Sequence, residues 1–96
     1  MKDIEWVWDP QKNLQNINKH GLSFDLASRV FDDPLHLSGV DPCSWEHRMR
    51  TIGRIGNVTV MVVHIPTELN ELGRETGRII SARKATRGER MAYENV

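Results

Sequence analysis

Cysteine is nearly missing from this 96-residue sequence, which holds only Cys43. A lone cysteine has no internal disulfide partner, and it cannot assemble a zinc cluster without several ligands from elsewhere. Cys43 is therefore expected to be a small loop or core residue. Long apolar runs are missing as well. No stretch approaches the roughly eighteen continuous apolar residues that a membrane span needs. The start, MKDIEWVWDP, has acids and a proline where a secretion signal is apolar. The expectation is a soluble, cytoplasmic protein that does not engage a membrane. No HExxH, Walker, GxGxxG or nucleophile-elbow pattern occurs, which removes the usual support for metalloprotease, NTPase, dinucleotide-binding and α/β-hydrolase readings. Neither a metal nor a cofactor is expected. Internal repeats, low-complexity tracts and linkers are also missing, so residues 1–96 are read as one domain.

What is present is charge, sorted along the chain. The formal net charge is +0, yet residues 1–47 hold four Lys/Arg against eight Asp/Glu, and residues 48–96 hold nine against five. A neutral total hides a basic second half. Only Lys84 among those nine cations is a lysine; the others are arginines, the side chain suited to planar, two-point contact with phosphate or carboxylate.

Periodicity gives the elements. DIEWVW alternates Ile4, Trp6 and Trp8 with Glu5 and Val7, as a half-buried strand does, with the tryptophans expected in the core rather than against bases. Asp9 caps a helix with Pro10 at its first position, Leu14 and Ile17 give that helix an apolar edge, and Gly21 ends it. Ser23 caps a second helix carrying Phe24, Ala27, Val30 and Phe31 at helical spacing, stopped by the DDP at 32–34. LHLSGV, RMRTIGRI and VTVMVVHI read as strands, the last two separated by Gly56-Asn57. Residues 66–78 read as a loop, and RIISAR returns as a last strand before a terminal helix with a Thr86/Glu89 capping box. The order β-α-α-β-β-β-β-α predicts an α+β fold with a mostly antiparallel sheet of four to five strands.

Within this frame, basic side chains crowd the strand ends. Strict alternation in RIISAR places Arg78, Ile80 and Ala82 on one face and Ile79, Ser81 and Arg83 on the other. Arg48, Arg50 and Arg54 recur at even spacing, and His64 closes VTVMVVHI. A face lined with guanidinium groups can hold an anion with several phosphate oxygens, most commonly a nucleic acid. The same arginines could instead pair with Glu68, Glu71, Glu75, Glu89 and Glu94, and the sequence leaves both readings open. Cleaving RNA without a metal takes a group to deprotonate the 2′-hydroxyl, donors around the pentacoordinate phosphate, and an acid for the leaving oxygen. Histidine, lysine and arginine can share these tasks. Among the histidines, His20 beside Lys19 at a helix C-terminus is the best placed, although the helix dipole alone also favours a histidine there. His64 either faces the arginine surface or merely ends a strand, and His36 and His47 read as exposed.

WDPQKNLQNINKHGLSFDLASRVFDDP, RTIGR and RIISARKATRGERMAYE together resemble, in order and over nearly the whole chain, the BrnT family of type II toxins. That resemblance implies a RelE-like fold, an endoribonuclease that arrests translation, and a BrnA-like antitoxin with a ribbon-helix-helix module. Operator DNA is then contacted only through the antitoxin, within a toxin-antitoxin hetero-oligomer. Carried onto this sequence, it points to His20, Lys19, Arg54 and Arg83 as catalytic candidates and to Arg48, with Arg50 and His64 added from the strand pattern, as substrate-binding ones. Two departures stand out. His47 replaces an acidic residue expected before Arg48, and PTELNELGRETG is longer than the family's usual connection.

Overall fold

The computed structural model describes residues 4–42 and 47–95; Cys43 lies outside them. Its elements follow the expected order: β1 (Glu5–Val7), α1 (Pro10–His20), α2 (Phe24–Ala27) continued by a 3-10 segment (Ser28–Asp32), β2 (Leu37–Val40), β3 (Met49–Ile55), β4 (Val58–Leu69), β5 (Glu75–Lys84) and α3 (Arg87–Glu94). The strands form one five-stranded sheet ordered β1-β5-β4-β3-β2. All neighbours are antiparallel except β1 and β5, whose parallel pairing makes the sheet mixed.

The helix ends are set by local chemistry. Asp9 accepts the Gln11 amide at 2.9 Å, Ser23 accepts the Leu26 amide at 3.1 Å, and Gly21 closes α1 at φ 68°, a left-handed conformation that glycine adopts without a Cβ clash. The second helix is shorter than its periodicity predicts and tightens into a 3-10 turn after Ala27. Phe24, Ala27 and Val30 sit three apart, the spacing that stacks side chains in a three-residue turn, and all three are fully buried. They pack on Val60 and Val62 of β4 and Ile79 and Ala82 of β5. Each large apolar side chain sealed there stabilises the fold by about 1.5–3 kcal/mol. Trp6 and Trp8 pack against this core, as their alternation in β1 predicts.

Three expectations are corrected. Leu14 and Ile17 do not dock α1; Leu14 is 61% exposed, and the buried residue is Asn16. Its amide donates to the Leu22 carbonyl at 2.8 Å and accepts the Ala82 amide at 3.2 Å, tying α1 to β5 through backbone groups. The stretch 66–78 is mostly strand. Beyond His64, β4 has lost its β3 neighbour and pairs only with β5, so Pro66 falls on an open edge within an irregular step, where a missing N–H breaks no ladder. Strict alternation also fails in β5: a register shift leaves Ile80 without a partner, so Ile79 and Ala82 share the core face while Ser81 and Arg83 point the other way.

Gly77 marks a close approach. A Cβ there would stand 2.3 Å from Cζ3 of Trp6, whose ring is stacked on Phe31 at a centroid distance of 4.0 Å. Glycine is what lets this aromatic pair lie flat on β5.

Candidate nucleic-acid interface

The helices divide the sheet's two faces. The inner face carries α1, α2 and the 3-10 segment; the outer face carries α3. Cross-strand partners share a face, and the registers set out three rows on the outer one: Arg50–Val63–Ser81, Ile52–Met61–Arg83 and Arg54–Thr59. Arginines from β3 and β5 thus flank a β4 stripe of Met61 and Val63. Arg48 stands just before β3, half-buried, where its carbonyl accepts the Asp41 amide at 2.9 Å.

These arginines are partnered. Arg83 offers a two-point fork to Glu89, Nη1 to Oε1 at 2.8 Å and Nη2 to Oε2 at 3.1 Å. Nη1 of Arg50 lies 3.7 Å from the same carboxylate, and its Nε is 3.8 Å from Asp41. Arg54 faces Glu94 at 3.7 Å and stands over the Tyr93 ring at 5.9 Å. Glu89 also accepts the Thr86 amide at 2.8 Å while Thr86 accepts the Glu89 amide, the capping box that the sequence predicts. The Arg83 fork, aided by the Thr86 contacts, pulls the Glu89 carboxyl down to about 2, and Glu89 in turn raises Arg83 above its already high ordinary value. The acid pairing left open by the sequence is therefore realised at Arg50, Arg54 and Arg83.

Not all the sequence candidates join this group. His20, with Lys19 before it, ends α1 on the inner side. There it borders an apolar cavity of about 190 Å³ with Leu22, Leu26, Val60 and Lys84. Lys84 pairs with core-facing Val60, so consecutive residues Arg83 and Lys84 point to opposite faces of the sheet. Lys84 was not singled out by the sequence, though its place after Arg83 in a strand already implied this alternation.

His64 lies inside the core, 6% exposed, on the face opposite the arginines, and β4 runs on for five residues beyond it. Its ring meets Trp6 and Phe31 edge-on at 5.3 and 5.0 Å. Nε2 is hydrogen-bonded to the Thr51 hydroxyl at 2.7 Å, and that hydroxyl to Ser38 at 2.7 Å. Nδ1 has no aligned partner. Burial pushes the imidazole pKa below its ordinary value, an effect the Ile65 backbone only partly offsets. A neutral, buried imidazole on the inner face does not touch a ligand held on the outer one.

Asp33 organises the far end of α3. Its carboxylate accepts the Leu35 amide at 2.9 Å, the Arg54 amide at 2.8 Å and the Tyr93 hydroxyl at 2.5 Å, and these bonds keep its pKa low against the opposing effect of burial. The DDP sequence announced a helix stop but gave no sign of this long-range link.

No curated protein matches the chain. The family model described as "Ribonuclease toxin, BrnT, of type II toxin-antitoxin system" matches residues 8–89, from Trp8 through the Arg83–Glu89 pair. With the α+β fold in place and most of the sequence matched, this chain belongs to the BrnT family of ribonuclease toxins.

Proposed function

We propose that the protein is a metal-independent endoribonuclease that cleaves RNA in the cytoplasm and so arrests translation. A BrnA-like ribbon-helix-helix antitoxin neutralises it and makes all contact with operator DNA. Arg83 and Arg54 hold the scissile phosphate and stabilise its added charge, Arg50 and Arg48 guide the neighbouring backbone, and His20 beside Lys19 transfers protons. One RNA strand reaches both groups by passing over the end of β5, where Arg83 and Lys84 serve opposite faces. His64 is left out of the contacts because it is sealed in the core.

The observation that supports this reading best is the convergence of Arg83 and Arg50 on a single carboxylate. Guanidinium groups that gather two oxygens of one anion suit a phosphodiester equally well. The test incubates purified protein with labelled RNA in EDTA, alone and with the product of the neighbouring gene. Cleavage that persists in chelator and stops on adding the partner is expected. Folded protein that binds RNA but leaves many sequences intact would instead make the chain a non-catalytic basic module.

A further inference from the structure

Helix α3 lies on the arginine face yet buries none of its own residues. An amphipathic helix docked by its apolar side would seal several. What holds α3 is polar: Glu89 to Arg83 and Arg50 at one end, the Tyr93 hydroxyl to Asp33 at the other, and a half-exposed pair between Glu94 and Arg54. Only Ala85 and Thr86 separate the helix from β5, so α3 can pivot there without disturbing the strand.

The first of these links has the geometry of a ligand complex. Both oxygens of Glu89 sit in the Arg83 fork, and one also faces Arg50, which presents a planar, two-acceptor anion to two guanidinium groups from different strands. The two non-bridging oxygens of a phosphodiester present the same charge and a closely similar pair of acceptors. Beneath the helix, Met61 is only 4% exposed although it lies on the outer face, and a groove of about 410 Å³ runs from Met61 and Ile52 past Arg50 to Ala92 of α3. Glu89 and a phosphate cannot share the fork.

We infer that α3 is a built-in competitor for RNA: Glu89 fills the anion position formed by Arg83 and Arg50, and a backbone phosphate takes that position only as α3 lifts from the sheet. The inference rests on the RNA-cleaving reading above and adds regulation of the same site. Lifting exchanges one carboxylate for one phosphate on the same arginines, so the charge balance under the helix is kept. The remaining work is release of the Tyr93–Asp33 latch and the half-exposed Arg54–Glu94 pair, together with exposure of Met61.

Amide hydrogen exchange over residues 87–94 and titration with a fully 2′-O-methylated oligonucleotide, which binds but lacks the nucleophile, test this directly. Glu89→Gln is the informative variant, because glutamine still completes the capping box and keeps the start of the helix while removing the charge. Tyr93→Phe releases the other end. Glu71→Gln, at an exposed position in the β4–β5 connection, adds the same net charge away from the face. Oligonucleotide binding should lower protection of α3 while β4 amides stay protected. Glu89→Gln and Tyr93→Phe should bind roughly tenfold tighter than wild type at equal salt. Binding that leaves α3 protected, or a gain in Glu71→Gln equal to that in Glu89→Gln, would overturn the competitor role and leave the RNA reading standing. Failure of wild type and both helix variants to bind any oligonucleotide would overturn the two together.

Discussion

The Ser38–Thr51–His64 chain sets up a measurable trade between hydrogen bonding and burial. In Thr51→Val the side chain keeps its β-branched shape at a fully buried strand position, so no cavity opens. Both 2.7 Å hydrogen bonds are lost. Ser38 is exposed and turns to water at little cost, but His64 is left with neither ring nitrogen partnered in the core. Leaving one buried polar atom unsatisfied costs about 1–3 kcal/mol, and the extra buried methyl returns somewhat less than about 1 kcal/mol. The expected net loss is about 1–2 kcal/mol, a fall in Tm on the order of 10 °C for a chain of this size. Urea denaturation followed by tryptophan fluorescence and far-ultraviolet dichroism gives the free energy, with the denaturant slope unchanged. In a His64→Phe background Thr51→Val should cost far less than it does in wild type, since no imidazole is then stranded. A Thr51→Val protein within about 0.5 kcal/mol of wild type would show that His64 does not depend on this bond, and the reasoning would fail.

Two further outcomes follow from the same structure. Arg83→Ala should lower RNA cleavage by roughly a hundredfold, as for loss of one preorganised donor, with Arg83→Lys restoring only part because it lacks the fork; wild-type rates in folded Arg83→Ala protein would move this residue out of the site. Stability should fall with acid in two stages. The folded His64 pKa lies below its ordinary value of 6.5, so the unfolded chain takes up the proton first and stability declines as pH drops below about 6.5. The Glu89 pair contributes fully above its ordinary 4.5 and is lost as pH falls towards about 2. Urea melts from pH 7.5 to 3 should show a first decline that disappears in His64→Phe; a flat profile between pH 7 and 5 in wild type would contradict a neutral, buried imidazole.

The sequence by itself determined the local pieces. Asp9, Ser23, Thr86 and Gly21 act on backbone groups within a few residues of themselves, so the helix limits they impose could be read directly. Alternation in Ile4, Trp6 and Trp8 likewise identified the inner face of β1, and the three sequence blocks identified the family. Tertiary structure decided whatever depends on partners distant in the chain. The parallel pairing of β1 with β5 joins residues some seventy positions apart, and Asn16 rather than Leu14 docks α1 because a backbone amide of β5 happens to need an acceptor there. One unpaired residue, Ile80, reassigns the faces of β5; period-two counting cannot anticipate such a shift, since a single insertion reverses every later side chain. The division of the candidate site has the same origin. Lys19 and His20 do not share a surface with the arginines, because the sheet stands between α1 and α3, and the side of a sheet to which a helix crosses is fixed by long-range packing that no local stretch of sequence reveals.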